Sequence, residues 1–147
     1  TAVYRAVQTA AQRPVVIKVL RLDYPSFNEL VQFRNQYTIM RGLVDANADH
    51  RSALGIVEPL SLEPLGSGYA LVMADGGEMA LSQYSQANSL DLPQVLQVAV
   101  QVAGILHTLA QHQVVHKDIK PANILIHPES HHVRLIDFSI TWWEKNK

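Results

Sequence analysis

Four residues in the second half of the chain stand out by type and spacing. Asp118, Lys120 and Asn123 lie within His116-Lys117-Asp118-Ile119-Lys120-Pro121-Ala122-Asn123, and Asp137 opens Asp137-Phe138-Ser139 fourteen residues after the asparagine. Asn123 and Asp137 carry hard oxygen donors of the kind magnesium prefers. The loops bearing them flank one short apolar hairpin, so the two can share a metal site. Asp118 sits in a turn directly before Lys120, which sets a carboxylate beside a cation. A fifth residue, Lys18, ends the run Val15-Val16-Ile17-Lys18. A lone lysine in an apolar strand is more often a side chain that snorkels to water from a sheet edge, and only the downstream motifs give Lys18 a second reading.

Strand and helix patterns must position these groups. Residues 2–7 and 14–20 read as two strands of a hairpin joined by the polar stretch 8–13. The period of two sets Val16, Lys18 and Leu20 on one face of the second strand. Ser26-Phe27-Asn28-Glu29 fits a capping box, and Leu30, Phe33, Tyr37 and Met40 follow at helical spacing, which predicts a helix over 27–42. Residues 56–57, 60–62 and 69–73 are short apolar runs punctuated by proline and glycine, as in a second hairpin, and Gly76-Gly77 reads as a hinge. Asp91 can cap a long helix whose Leu92, Val95, Leu96, Ala99, Val102, Ala103, Leu106 and Leu109 trace the apolar face, with Gln94, Gln97, Gln101, Thr108 and Gln111 opposite. Residues 124–126 and 133–136 form the small hairpin between the two loops. The chain has no internal repeat and no low-complexity tract.

Composition narrows the class. At 147 residues with 48% hydrophobic and 17% charged side chains, the chain is globular rather than disordered. It is short for an enzyme whose site lies between two lobes. Twelve basic against thirteen acidic residues leave a formal charge of −1, so no broad basic surface advertises a nucleic-acid partner. There is no cysteine, which excludes disulfides and thiolate zinc sites and agrees with a cytoplasmic setting. The longest apolar stretch is broken by Gln97, Gln101 and His107, and we read no membrane segment in it. His127, His131 and His132 fall on a predicted turn without a carboxylate set, so a solvated turn is the better reading than a metal site.

Three segments in this order, the Val15–Lys18 strand, the His116–Asn123 loop and Asp137-Phe138-Ser139, resemble the signatures of eukaryotic-type (Hanks-type) serine/threonine protein kinases. The resemblance covers essentially the whole chain. It implies an α+β, two-lobe kinase fold in partial form. Residues 1–75 would be the N-terminal lobe without its glycine-rich loop. Residues 76–147 would be the hinge and the first part of the C-terminal lobe, cut after the Asp-Phe-Ser motif. The implied activity is phosphoryl transfer from ATP, with Mg2+, to a Ser/Thr hydroxyl of a protein substrate, carried by a longer parent of which this piece alone is inactive. Leu81-Ser82-Gln83-Tyr84, the glutamine-rich helix and the last motif are similar to the N-terminal kinase domains of bacterial, especially cyanobacterial, multi-sensor signalling proteins, which implies further signalling domains.

By the same resemblance, Asp118 is the catalytic carboxylate, Lys120 neutralises the moving phosphoryl group, and Asn123 and Asp137 hold the metal. Lys18 holds the α and β phosphates. Val3, Val16 and Leu125 sandwich adenine, Met73 is the gatekeeper, and the backbone of Ala74 and Gly76 pairs with the base. Departures bear on activity. Gln36 stands where the family places a glutamate partner for the lysine, Lys117 replaces an arginine, and Ser139 replaces a glycine, for which we expect restricted motion of the Asp137 loop. Trp142 and Trp143 read as packing residues. A pseudokinase and a small-molecule kinase of the aminoglycoside or choline type are the alternatives. Intact Lys18, Asp118, Asn123 and Asp137 speak against the first, and Lys120 against the second.

Overall fold

The alternating residues at the start of the chain form the first two strands of an antiparallel sheet. In the computed structural model, which describes residues 1–20, 24–49 and 54–138 together with the backbone of 142–143, β1 (Ala2–Gln8) pairs with β2 (Arg13–Val19). The expectations for Ser139 and for the side chains of Trp142 and Trp143 lie outside the described residues. β3 (Pro59–Leu65) and β4 (Gly68–Ala74) complete a four-stranded sheet in the order β1-β2-β4-β3. Its register places Lys18 opposite Val3 on one side and Leu71 on the other, and Val16 opposite Arg5 and Met73. Directly paired residues share a face, so one surface of the sheet carries Val3, Arg5, Val16, Lys18 and Met73.

Helix α1 (Phe27–Ala46) crosses that face. Its start is the expected capping box: the Ser26 side chain accepts from the Glu29 amide, and the Glu29 carboxylate accepts from the Ser26 amide at 2.8 Å and its hydroxyl at 2.6 Å. These bonds hold the Glu29 carboxyl below its ordinary value. The helix runs past Gly42, where the sequence predicted its end, because Leu43 and Val44 are buried and reward another turn. Asn47 ends it, with its side-chain amide donating to the Leu43 carbonyl at 2.9 Å.

Beyond the hinge come β5 (Met79–Ala80) and α2 (Leu81–Ala87), a short helix that the sequence pattern did not predict. Only Leu81 and Tyr84 of α2 are buried, one turn apart, which is too little for a period to register. α3 (Leu92–Gln111) has a second capping box, formed by Asp91 and Gln94. β6 (Val114–Val115) pairs with β9 (Trp142–Trp143), and β7 (Ile124–Ile126) and β8 (Val133–Leu135) join β5 in a three-stranded sheet.

The face that α3 buries differs from the expectation. Val98, Ile105 and Leu109 are buried, whereas Leu92 and Leu96 are 70% and 55% exposed. The cause is Gln101, assigned to the polar side by its type. Its Nε2 donates to the His131 carbonyl at 2.9 Å, and its Oε1 accepts from the Val133 amide at 3.0 Å. A glutamine that satisfies the backbone of a neighbouring hairpin belongs on the inner face. By length and composition alone α3 is apolar enough to cross a membrane, yet this inner face packs on the β7–β8 hairpin.

Among the described residues a core cluster runs from Phe33, Met40 and Leu71 to Ile126, Leu135 and Phe138, through both sheets. Gly55 stitches them together. Its carbonyl accepts from the Leu135 amide at 2.8 Å, and Ile56 forms a parallel bridge to Leu135. Its φ is +63°, and a Cβ there would lie 2.2 Å from Cγ1 of Ile105. Gly55→Ala should therefore lose about 2–4 kcal/mol through the left-handed backbone and the overlap together. Chemical denaturation checks this. Adding Ile105→Ala should cost less than its own loss added to that of Gly55→Ala, because it removes the overlap.

Candidate active site

The first polar cluster forms around Lys18, which the apolar face of the sheet carries into the interior. Its side chain is 11% exposed, with Nζ 3.0 Å from Gln36 Oε1 and 3.3 Å from Asp137 Oδ1. β2, α1 and the segment after β8 thus meet at one ammonium. Gln36 is itself buried, so it takes the acceptor role that the resemblance gives to a glutamate. Glu29 does not supply a substitute, since its carboxylate is engaged at the α1 cap.

The second cluster is the loop before β7. Asp118 Oδ2 accepts from Lys120 Nζ at 2.7 Å and from Asn123 Nδ2 at 2.8 Å. Asn123 also donates to the Asp118 carbonyl at 2.9 Å. Both bonds use the amide nitrogen, so the acceptor oxygen of Asn123 takes no part in that pairing. The Lys120 hydrogen bond chiefly holds the Asp118 carboxyl below its ordinary 3.8; partial burial opposes it, and Asn123 reinforces it.

His116 joins the two clusters. It is 2% exposed, and its Nε2–H donates to the Ile136 carbonyl at 2.8 Å, which leaves Nδ1 to accept from the Asp118 amide at 3.3 Å. This network assigns the proton to Nε2. The ring also lies 4.8 Å from that of Phe138. One imidazole therefore fixes the residue before Asp137 and the backbone of Asp118. Asp137 and Lys117 have φ of +68° and +65°. Side chains other than glycine rarely adopt this region, and its cost is met by surrounding contacts where a site needs the geometry.

A cavity of about 500 Å³ opens beside Lys18 and Asp137. Val3, Val16, Met73, Ala74 and Leu125 line it, as do Arg5, Asp75, Glu78 and Gln83, which sequence reasoning did not single out. Of these Arg5 alone had a signal, since it shares its strand face with Val3 at a spacing of two. Gly76 does not line the cavity. Its amide donates to Glu78 Oε2 at 3.1 Å. Two histidines of the β7–β8 turn have structural partners: His127 Nδ1 accepts from the Glu129 and Ser130 amides, and His131 Nε2 lies 3.0 Å from the Tyr84 hydroxyl.

The family model of the protein kinase domain matches residues 1–145. The chain belongs to the protein kinase domain family. Its relatives include serine/threonine-protein kinase PrkC of Bacillus subtilis, 32% identical over 94% of this chain and 20% of the relative. Serine/threonine-protein kinase PknA of Mycobacterium tuberculosis is 30% identical over 94% of this chain and 32% of its own length. Myosin light chain kinase 3 of Homo sapiens is 26% identical over 94% of this chain and 16% of its own length. The chain thus spans between a sixth and a third of these relatives. The fold is the kinase N-terminal sheet with its helix, followed by mixed α and β elements.

In this kinase domain the bond from Lys18 to Gln36 is a charge-to-neutral contact, weaker than a paired charge. Gln36→Glu should give equal or higher phosphotransfer, measured with radiolabelled nucleotide in the full-length protein; a sharp loss would mean that the neutral acceptor is required. The Asp118 contacts make a second testable claim. A carboxyl held low keeps its pairing at all pH above its ordinary value and loses it only as pH falls through the lowered one. Carboxyl 13C titration of Asp118 should place its midpoint below 3.8, and Lys120→Ala should raise that midpoint more than Asn123→Ala does.

Proposed function

We propose that this kinase domain transfers the γ-phosphoryl group of magnesium-bound ATP to serine or threonine hydroxyls of protein substrates. The observation that carries the proposal is the pairing of Lys18 with Asp137 at 3.3 Å on the wall of the cavity. The donor set fits the metal: a carboxylate on Asp137 and the amide oxygen of Asn123 are hard ligands, and Asp137 lines the cavity. Bound magnesium-ATP would supply the phosphoryl group and the cation that neutralises its oxygens.

The chain's own residues position the rest. Lys18, fixed from two sides, presents a point charge to phosphate. Val3, Val16 and Leu125 offer apolar walls to a flat base, with Met73 at the back and Ala74 as a backbone partner. Asp118 stays ionised at neutral pH, so it can accept the proton of an acceptor hydroxyl, and Lys120 on the same carboxylate is placed to steady charge that develops beside it. Serine/threonine specificity rests on the likeness to the serine/threonine-protein kinases PrkC and PknA. Residues 1–75 and 76–147 as parts of two lobes, a cytoplasmic location and further signalling domains in a longer parent belong to the same proposal.

The two aspartates should separate experimentally in the full-length protein. Asp118→Ala should lower turnover by about three orders of magnitude or more with little change in ATP affinity. Asp137→Ala should abolish the magnesium-dependent part of ATP binding, measured by calorimetry with and without the metal. Equal losses of affinity in both variants would overturn these roles.

A further inference from the structure

The hinge carries a contact that the reading of this cavity as a nucleotide site does not use. Glu78 is buried, and its carboxylate does two things. Oε2 accepts from the Gly76 amide at 3.1 Å, and Oε1 pairs with Arg134 at 3.2 Å. Arg5 reinforces the arrangement from the sheet side, through an ion pair with Asp75 at 3.0 Å and a hydrogen bond to the Glu78 carbonyl. Gly76 makes the contact possible, because a Cβ there would lie 2.7 Å from both carboxylate oxygens. At this point the cavity wall is Glu78, and Gly76 is absent from it.

This exchanges a donor for an acceptor. An ionised carboxylate only accepts hydrogen bonds, and it has lone pairs beyond the two engaged here. A bare amide N–H would favour adenine, whose N1 accepts, and would oppose guanine, whose N1 carries a hydrogen. A carboxylate reverses that preference, since guanine offers both N1–H and its 2-amino group. The Ala74 carbonyl can take the 6-amino group of adenine, so adenine is not excluded.

We propose that Glu78 is a specificity-determining residue that masks the Gly76 amide and lets the site take guanine as well as adenine nucleotides. The inference rests on the nucleotide reading above. Masking is favoured by charge assistance and by the Arg134 pair, which holds the carboxylate in place without a ligand.

The test is the affinity of the full-length protein for Mg·ATP and for Mg·GTP, measured by calorimetry. In the parent sequence the two should lie within about tenfold of each other. Two variants unmask the amide by different routes. Glu78→Ala removes the carboxylate, and Gly76→Ala keeps Glu78 and Arg134 but displaces the flexible carboxylate end. Each should shift the ratio towards ATP by about tenfold or more, the scale expected when the unmasked amide donor faces the N1–H donor of guanine. A preference for ATP above about 100-fold in the parent sequence, or an unmoved ratio in either variant, overturns the inference while the nucleotide reading stands. Binding of neither nucleotide by the folded parent protein overturns both.

Discussion

A buried ammonium must find acceptors, and Lys18 is where that requirement organises the molecule. An unpaired charge in a site that is 11% exposed would cost several kcal/mol. The sheet cannot supply acceptors from its own apolar face, so one comes from α1 and another from the segment after β8. To deliver Gln36, α1 must cross the sheet at a fixed height, which the Phe33 and Met40 contacts on either side enforce. To deliver Asp137, the β7–β8 hairpin must dock under the sheet, which the Gly55 and Ile56 bridge to Leu135 secures.

Asp137 and the Asp118 loop reach that point through strained backbone held from several sides. Two residues with positive φ, Lys117 and Asp137, sit on either side of the hairpin, and the buried His116 bonds to both neighbourhoods. Removing the imidazole would free the Ile136 carbonyl and the Asp118 amide together. The histidine therefore acts as a positioning residue, holding Asp118 and Asp137 in register without touching either carboxylate.

Much of this was legible in the sequence because it depends on local rules. The capping box of α1, the Asp91 cap of α3, the strand faces around Lys18 and the loop-hairpin-loop order of Asn123 and Asp137 follow from residue type and short spacing. What failed to show depends on partners distant in the chain. Gln101 reads as a solvent residue until the hairpin amides it satisfies are known, and the inner face of α3 rotates accordingly. Gly42 reads as a helix end until Leu43 and Val44 find a core to enter. Glu78 has no signature, since the cation that fixes its carboxylate, Arg134, lies far along the chain.

If Lys18 and Asp137 act as one unit on the bound phosphates, their effects on ligand affinity cannot be independent. The direct measurement is a double-mutant cycle on Mg·ATP affinity in the full-length protein, with Lys18→Met, Asp137→Asn and the pair. The double variant should bind little worse than the weaker of the two single variants, since either change already breaks the shared site. Losses that simply add would contradict it, and would make the 3.3 Å contact an incidental neighbour of two separate functions.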